Sequence, residues 1–382
     1  MAILHEIIGC QRIALNSPLK VSYGFPPTPT LSRREREFGP HYSPSPWGEG
    51  WGEGMTAVRS CRLINPAKDI AMRAVLVDPS APGHLALTDA PGPTPFSSQA
   101  LVAVKAISLN LGEVKRARRS PPGTLLGWDV AGEVLEQAAD GSGPTPGTRV
   151  VGVMNTGAWA ERAAIETAWM APLPDSVSYE TAATLPVAGL TALYALEQAG
   201  QLLGRRVLVT GASGGVGQYA VQLAKLSGAT VTALVRRAET ADALRAIGAD
   251  HVVVSEDGKG VVENSSYHCI LDSVGGQVLA DCLNLVARGG TLVSYGISAG
   301  TEVTINAGEY FRTGRSNYYG LYLFTEFGRR PARDGLRVLA GLLADSKLSV
   351  HIDATGTLAE LGDLAERLFN REITGKAVVL VD

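Results

Sequence analysis

The sequence predicts an α/β protein built from a doubly wound parallel sheet and a smaller antiparallel, barrel-like unit. Three observations carry this. Strand-like and helix-like patterns alternate from about residue 206 to 295. A glycine-rich turn, Ala212-Ser213-Gly214-Gly215-Val216-Gly217, stands at the first crossover of that alternation. From Met72 to about Pro186 the chain reads instead as short strands punctuated by Pro and Gly.

In the antiparallel part, residues 100–110, 128–137, 148–154 and 157–165 are strand-like, and PPGT and GSGPTPG separate two of the gaps. Short strands spaced by turn residues pair most readily as hairpins. In the alternating part the expected order is strand 206–210, helix 216–228, strand 230–235, helix 238–247, strands 251–254 and 268–272, helix 276–287 and strand 290–295. Strands separated by helices need crossovers, which make the sheet parallel and put helices on both faces.

Composition bounds what such a chain can do. Its 382 residues, 45% of them hydrophobic, suffice for two domains with sizeable cores. With 34 basic and 37 acidic residues there is no broad positive field for nucleic acid or an anionic membrane. Cys10, Cys61, Cys269 and Cys282 are scattered and form no CxxC pair, which argues against a disulfide framework or a zinc knuckle and fits a reducing, cytoplasmic setting. His5 and Glu6 interrupt the start where a secretory signal needs a continuous apolar core, and no run reaches the roughly 20 apolar residues of a membrane span.

Residues 1–71 have a different texture. FPPTPTLSRREREFGPHYSPSPWGEGWGEG, 25–54, mixes Pro, Gly, Ser and charge without period, and is expected to be a disordered extension. A native start at Met72 or Met55 is the expectation that follows.

At the glycine turn the chain leaves a buried strand and enters a helix, whose unpaired N–H groups face whatever lies above. A diphosphate suits that place. Gly214 lets backbone approach the phosphates and Gly217 lets helix pack on strand, while Ala212 replaces the first glycine of G-x-G-x-x-G. An NAD-preferring fold puts a carboxylate about 20 residues on, at the end of the next strand. Here Arg236 and Arg237 stand there. A guanidinium would pair with a 2′-phosphate, so NADPH is the expected cofactor, against the alternative of a solvated charge pair at a strand end. The loop also fits the TGxxxGxG turn of short-chain dehydrogenases. None of the tyrosines beyond it has a lysine four residues later, which rejects that chemistry.

From Met72 to Asp382 the chain resembles the medium-chain dehydrogenase/reductase superfamily, and within it the zinc-independent quinone oxidoreductases. The matching stretches are ISLNLGEV, GWDVAGEV, PGTRVVG, GAWAERA, LPVAGLTALYAL, GASGGVG, ALRAIGADHVV, LDSVGG, RGGTLVSYG and GKAVVLV. The resemblance implies a Rossmann NADPH-binding domain over 186–317 and a discontinuous GroES-like substrate domain over 72–185 and 318–382. It also implies a homodimer formed through the Rossmann sheet. Asn110 falls at the nicotinamide end of the cleft as the candidate catalytic residue, with the alternative that it caps a turn; Glu113 stands where the family has Asp. Thr191, Ser273, Tyr295, Gly296 and Ile297 fall on cofactor-contacting positions, and Ser255 takes the place of an adenine-stacking tyrosine.

Zinc-dependent relatives carry a GHE turn where this chain has Gly127-Trp128-Asp129, and a cysteine where it has Asn110. An indole cannot ligate zinc, so no metal is expected. Without a Lewis acid, hydride transfer to a quinone or an α,β-unsaturated carbonyl is the favoured chemistry, since conjugation itself delocalises the developing charge. An NADPH-binding structural or sensing protein with little turnover is the alternative. NYYGLYLF, 317–324, is either an aromatic substrate wall or a packed last strand. Removal of residues 1–71 is expected to leave the melting temperature nearly unchanged; a loss of several degrees by calorimetry would show that the segment docks on the fold.

Overall fold

The computed structural model describes residues 71–255 and 266–382. The expected disordered extension, with Cys10 and Cys61, lies almost entirely outside the described residues. The chain opens with a hairpin, β1 (Ala71–Val77) and β2 (Leu85–Pro91), and continues with β3 (Gln99–Leu109), α1 (Leu111–Ala117), β4 (Asp129–Glu136), β5 (Arg149–Val153), β6 (Arg162–Glu166) and β7 (Met170–Pro172). Helices α2 (Tyr179–Ala183) and α3 (Leu190–Glu197) lead into β8 (Arg206–Thr210), α4 (Gly215–Leu226), β9 (Thr230–Val235), α5 (Ala241–Ala246), β10 (His251–Val254), β11 (Tyr267–Asp272), α6 (Gly276–Asn284), β12 (Val286–Ser294), α7 (Ala307–Thr313) and β13 (Asn317–Gly320). The chain ends with α8 (Leu323–Glu326), α9 (Ala332–Ala344), β14 (Ile352–Thr357), α10 (Leu361–Phe369) and β15 (Lys376–Leu380).

The alternating half forms a six-stranded sheet in the order β10-β9-β8-β11-β12-β13, every pairing parallel. Counted from β8 this is 3-2-1-4-5-6, the doubly wound order, and its strand order reverses between β8 and β11. The central strands carry continuous apolar runs because helices cover both faces. Val207, Leu208 and Val209 of β8 are fully buried, as are Cys269, Ile270 and Leu271 of β11. Burial also pushes the Cys269 and Cys282 thiols upward, so both behave as packing residues.

The other sheet has seven strands ordered β14-β15-β3-β4-β5-β7, with β6 pairing β3. The last segment of the chain returns to it: β15 runs antiparallel to β3 in the register Ala377↔Leu109 and Leu380↔Ala106. The expected boundary at 317/318 needs moving, because β13 spans it and pairs with β12 from Thr291↔Asn317 to Ser294↔Gly320. The expected strand over 157–165 is likewise shorter and later; Gly157 has a positive φ of 106°, and pairing with β3 begins at Arg162. Among the described residues no helix is long and apolar enough to cross a membrane.

Leu208, in the centre of the parallel sheet and fully buried, is a direct probe of this core. Leu208→Ala should cost about 2–5 kcal/mol with an unchanged denaturant m-value, read from urea unfolding; a loss below about 0.5 kcal/mol would contradict the packing described.

Candidate functional site

In an open parallel sheet the strand carboxyl ends and the helix N-termini meet at the point where strand order reverses, leaving a crevice. The glycine turn follows β8 and Ser273 follows β11, and the two are joined: Ser273 Oγ donates to the Thr210 carbonyl at 3.1 Å and Thr210 Oγ1 accepts from Ser273 N at 3.1 Å. Asp272 fixes this junction. Its buried carboxylate accepts from Thr210 Oγ1 at 2.7 Å and from the Gly275 N–H at 3.0 Å, and burial raises its pKa. A Cβ on Gly217 would lie 2.5 Å from the Gly211 carbonyl oxygen, so only glycine lets α4 start this close to the turn.

The other expected cofactor residues sit along the same edge. Tyr295, Gly296 and Ile297 follow β12, with Tyr295 N donating to the Asp272 carbonyl at 2.9 Å and Ile297 exposed. Arg236 and Arg237 follow β9, and Ser255 follows β10, its N–H donating to Val235 O at 2.8 Å. Ala212 is buried, Ser213 accepts from Gln218 Nε2 at 3.0 Å, and Gly214, Gly215 and Val216 face the crevice side of the turn with Gly214 exposed. Arg237 is drawn toward Thr374 Oγ1 and Glu239, whereas Arg236 is exposed and has no side-chain partner among the described residues. Thr191 lies apart from this row, buried on α3.

Asn110 ends β3 and precedes α1, and its surroundings hold what sequence reasoning missed. The register Ala377↔Leu109 brings Lys376 across from Asn110. Lys376 Nζ, almost fully buried, donates to Asn110 Oδ1 at 2.8 Å and to Leu109 O at 3.2 Å, and lies 3.5 Å from Asp129 Oδ2. Asn110 Nδ2 donates to Asp129 Oδ2 at 2.8 Å and to Glu113 Oε1 at 3.2 Å. Asp129 Oδ1 accepts from Val187 N at 2.9 Å. The Asn110 amide is thus fully engaged by protein groups, with both N–H bonds on carboxylates and its oxygen on an ammonium.

Two carboxylates and one ammonium cannot all be charged there at equal cost. Desolvation, and then the neighbouring Asp129, push the Glu113 pKa up to about 8. Glu113 Oε1 accepts from Asn110 N at 2.8 Å, while Oε2 is buried without a partner among the described residues, and this lack of solvation favours the protonated acid. Desolvation raises Asp129 and lowers Lys376, but each opposes the shift of the other, and this pair carries the charges. The cluster is neutral overall.

It also touches the glycine turn. A Cβ on Gly215 would lie 2.6 Å from Lys376 Cδ, so the lysine stem passes directly over the start of α4. On the far side of Asn110, Trp128 Cη2 occupies the space a side chain on Gly112 would need. Trp128 begins an aromatic wall: it meets Phe324 edge-on at 5.7 Å, and Phe324 continues to Tyr322 and Phe327, each at 5.7 Å. Trp169 lies 5.2 Å from Phe327. Of 317–324, residues 317–320 form strand β13, while Tyr322 and Phe324 join the aromatic cluster.

The residues at the zinc-type positions do not fit the ion. Trp128 Nε1 is committed to the Asn155 carbonyl at 3.1 Å, and the oxygens of Asn110 and Asp129 already face an ammonium. Among the described residues no group of three or more His, Cys, Asp or Glu is placed to hold a metal.

The chain matches the family model described as an alcohol dehydrogenase GroES-like domain over residues 97–175 and that described as a zinc-binding dehydrogenase over 215–330. It is 30% identical over 312 residues to a chloroplast envelope quinone oxidoreductase homolog of Arabidopsis thaliana, covering 76% of this chain and 92% of that protein. It is 32% identical over 284 residues to a polyketide synthase of Streptomyces halstedii, covering 73% of this chain but spanning only 5% of that much longer protein. The quinone oxidoreductase of Coxiella burnetii superposes with a TM-score of 0.71 at 28% identity, over 82% of this chain and 100% of the other. A mycobacterial protein solved in complex with NADPH gives 0.72 at 27%, over 81% and 99%.

The proton on Glu113 makes a prediction. With its folded pKa raised from 4.5 to about 8, the stabilisation it gives is complete below pH 4.5 and is lost as pH rises toward and through about 8. Glu113→Gln, which keeps the shape without the titration, should flatten the fall of urea midpoint between pH 5 and about 8. Parallel midpoint curves for the two proteins would show that Glu113 is ionised throughout.

Proposed function

The chain belongs to the quinone oxidoreductase-like branch of the medium-chain dehydrogenase/reductase superfamily, and from that premise we propose that it is an NADPH-dependent, zinc-independent oxidoreductase that delivers hydride to a quinone or an α,β-unsaturated carbonyl. One observation carries this: the glycine turn at the reversal point of a 3-2-1-4-5-6 sheet lies against Lys376, which reaches Asn110 and so connects it to the aromatic wall. The turn fits a dinucleotide, because Gly214 and Gly215 put no side chain of their own over the N-terminus of α4. Gly214 to Gly217 would hold the diphosphate and Arg236 the 2′-phosphate, with Ser255, Ser273, Tyr295, Gly296 and Ile297 at the strand ends; Thr191 is a further contact. Bound there, the reduced cofactor supplies hydride.

The chain's own residues then do three things. Trp128, Phe324 and Trp169 offer ring faces and edges against which a flat substrate is oriented. Lys376 and Asp129 hold Asn110 in one rotamer, making it a fixed wall of the crevice. Glu113 keeps its proton inside the cluster, which prevents a second negative charge from opposing a hydride acceptor. With the fully engaged Asn110 amide in view, a second reading is favoured by the same observation: an NADPH-binding protein with little turnover. The exposed outer edge of β13 is where we place a second copy in a homodimer.

Absorbance at the reduced-nicotinamide band, followed with quinones, enones, aldehydes and ketones, separates the readings; quinone- or enone-specific turnover is expected, and binding without turnover leaves the second. Arg236→Glu should weaken NADPH far more than NADH, since one charge-assisted hydrogen bond is worth about 1.5–3 kcal/mol, roughly ten- to over a hundredfold in affinity. Equal weakening of both cofactors in a binding titration would remove the 2′-phosphate assignment.

A further inference from the structure

The loops that hold Trp128 carry positive charge that the proposed hydride chemistry does not use. Helix α1 and the turn after it contribute Lys115, Arg116, Arg118 and Arg119, and neither residues 114–128 nor residues 150–160 contain a carboxylate. Surfaces ordinarily intersperse both signs, and unbalanced charge next to a cleft raises the local concentration of counter-ions. Arg118 is spoken for: it bonds Glu366 Oε2 at 2.8 Å and lies 3.8 Å over the Phe369 ring. The others are not. Lys115 and Arg119 have no side-chain partner among the described residues, and Arg119 follows one turn after Arg116, its N–H donating to Arg116 O at 3.0 Å.

Arg116 ties this charge to the aromatic wall. Its Nη1 donates to the Asn155 carbonyl at 3.2 Å, and the same oxygen accepts Trp128 Nε1 at 3.1 Å. A shared acceptor places the exposed guanidinium beside the polar edge of the indole. Four of the five guanidinium N–H donors stay open to solvent in a planar array suited to carboxylate, sulfonate or phosphate oxygens. The position of Lys115 and Arg116 in the last turn of α1 accounts for their sign through the helix dipole, but it does not account for the absence of an acid paired with Lys115, Arg116 or Arg119 among the described residues or for the shared carbonyl.

Resting on the reductase reading, we propose that the substrate is a planar conjugated electrophile with an anionic group on its ring system. The ring lies along Trp128 and Phe324, and the anion meets Arg116 within the field of Lys115 and Arg119.

Calorimetric titration of the full chain with naphthalene-2-sulfonate and with neutral 2-naphthylmethanol tests this without requiring turnover. The sulfonate should bind about tenfold tighter at low ionic strength, the scale of one charged hydrogen bond, and the advantage should shrink as salt rises. Lys115→Gln with Arg116→Gln and Arg119→Gln should abolish it. Should the triple variant fold poorly by circular dichroism, Lys115→Gln with Arg119→Gln removes no observed side-chain bond and must still reduce the salt dependence. Equal affinity for the two probes, a preference retained in the triple variant, or a salt dependence unchanged in the double variant overturns the subsite. Crotonyl-CoA compared with its N-acetylcysteamine thioester checks the anion's position: a gain there with none for the sulfonate overturns a ring-borne anion. Turnover of 1,4-naphthoquinone without a sulfonate preference sinks only the subsite, whereas a preference without any turnover sinks only the reductase reading.

Discussion

One buried ammonium holds the cleft together. Lys376 begins β15, the last strand, and its stem passes over the first glycine of α4 before its charge reaches Asp129 and the end of β3. Taken out of water alone, that charge would cost several kcal/mol; opposite a buried carboxylate and two oxygen acceptors it is tolerated. The return of the chain terminus to the seven-stranded sheet is thereby tied to the geometry of the glycine turn in the six-stranded one. Removing either charge would leave the other unpaired, at a cost of about 3–5 kcal/mol.

The protonation of Glu113 follows from that same pair. Asp129 has the ammonium and the Val187 N–H as partners, so it keeps its charge; Glu113, with an unpartnered Oε2, keeps its proton. Asn110 is the hinge between them, donating to both carboxylates and accepting from the lysine. Asn110, Asp129 and Lys376 are each satisfied only with the other two present, which makes the cluster rigid as well as neutral. A rigid neutral patch is the surface a hydride acceptor needs at its back, since a net negative charge there would oppose the charge developing on the acceptor.

How much of this was legible depends on the distance over which each signal acts. The parallel sheet was readable because its central strands are buried apolar runs and helices separate β8 from β9 and β9 from β10, so that all three fall where the residue pattern puts them. The glycine turn was readable because its constraint is local, as the clash of a Gly217 Cβ with Gly211 shows. Lys376 was not. It lies 266 residues from Asn110, and only the register of β15 on β3 brings the two together. Glu113 looked like a simple departure from an expected Asp, and nothing in its neighbours along the chain signals burial against Asp129. The segment 317–324 resisted a single assignment because its polar and apolar residues serve two surfaces, the sheet through Tyr319 and the wall through Phe324.

Charge in the crevice is therefore sorted by depth. Inside, Lys376 and Asp129 cancel and Glu113 is neutral, so the cluster carries no net charge. At the surface, guanidiniums such as Arg236 after β9 and Arg116 on α1 have hydrogen-bonding capacity to spare, and neither of these pairs with a carboxylate among the described residues. Exposed charges of this kind contribute little to stability, because water solvates them as well as a partner would. Their value lies in selection: each can discriminate a ligand that carries an anion from one that does not, at the rim where the ligand's own charge remains partly hydrated. On the proposed reading, a cleft neutral within and cationic at its rim selects a ligand by its anionic parts while the reacting centre itself stays neutral.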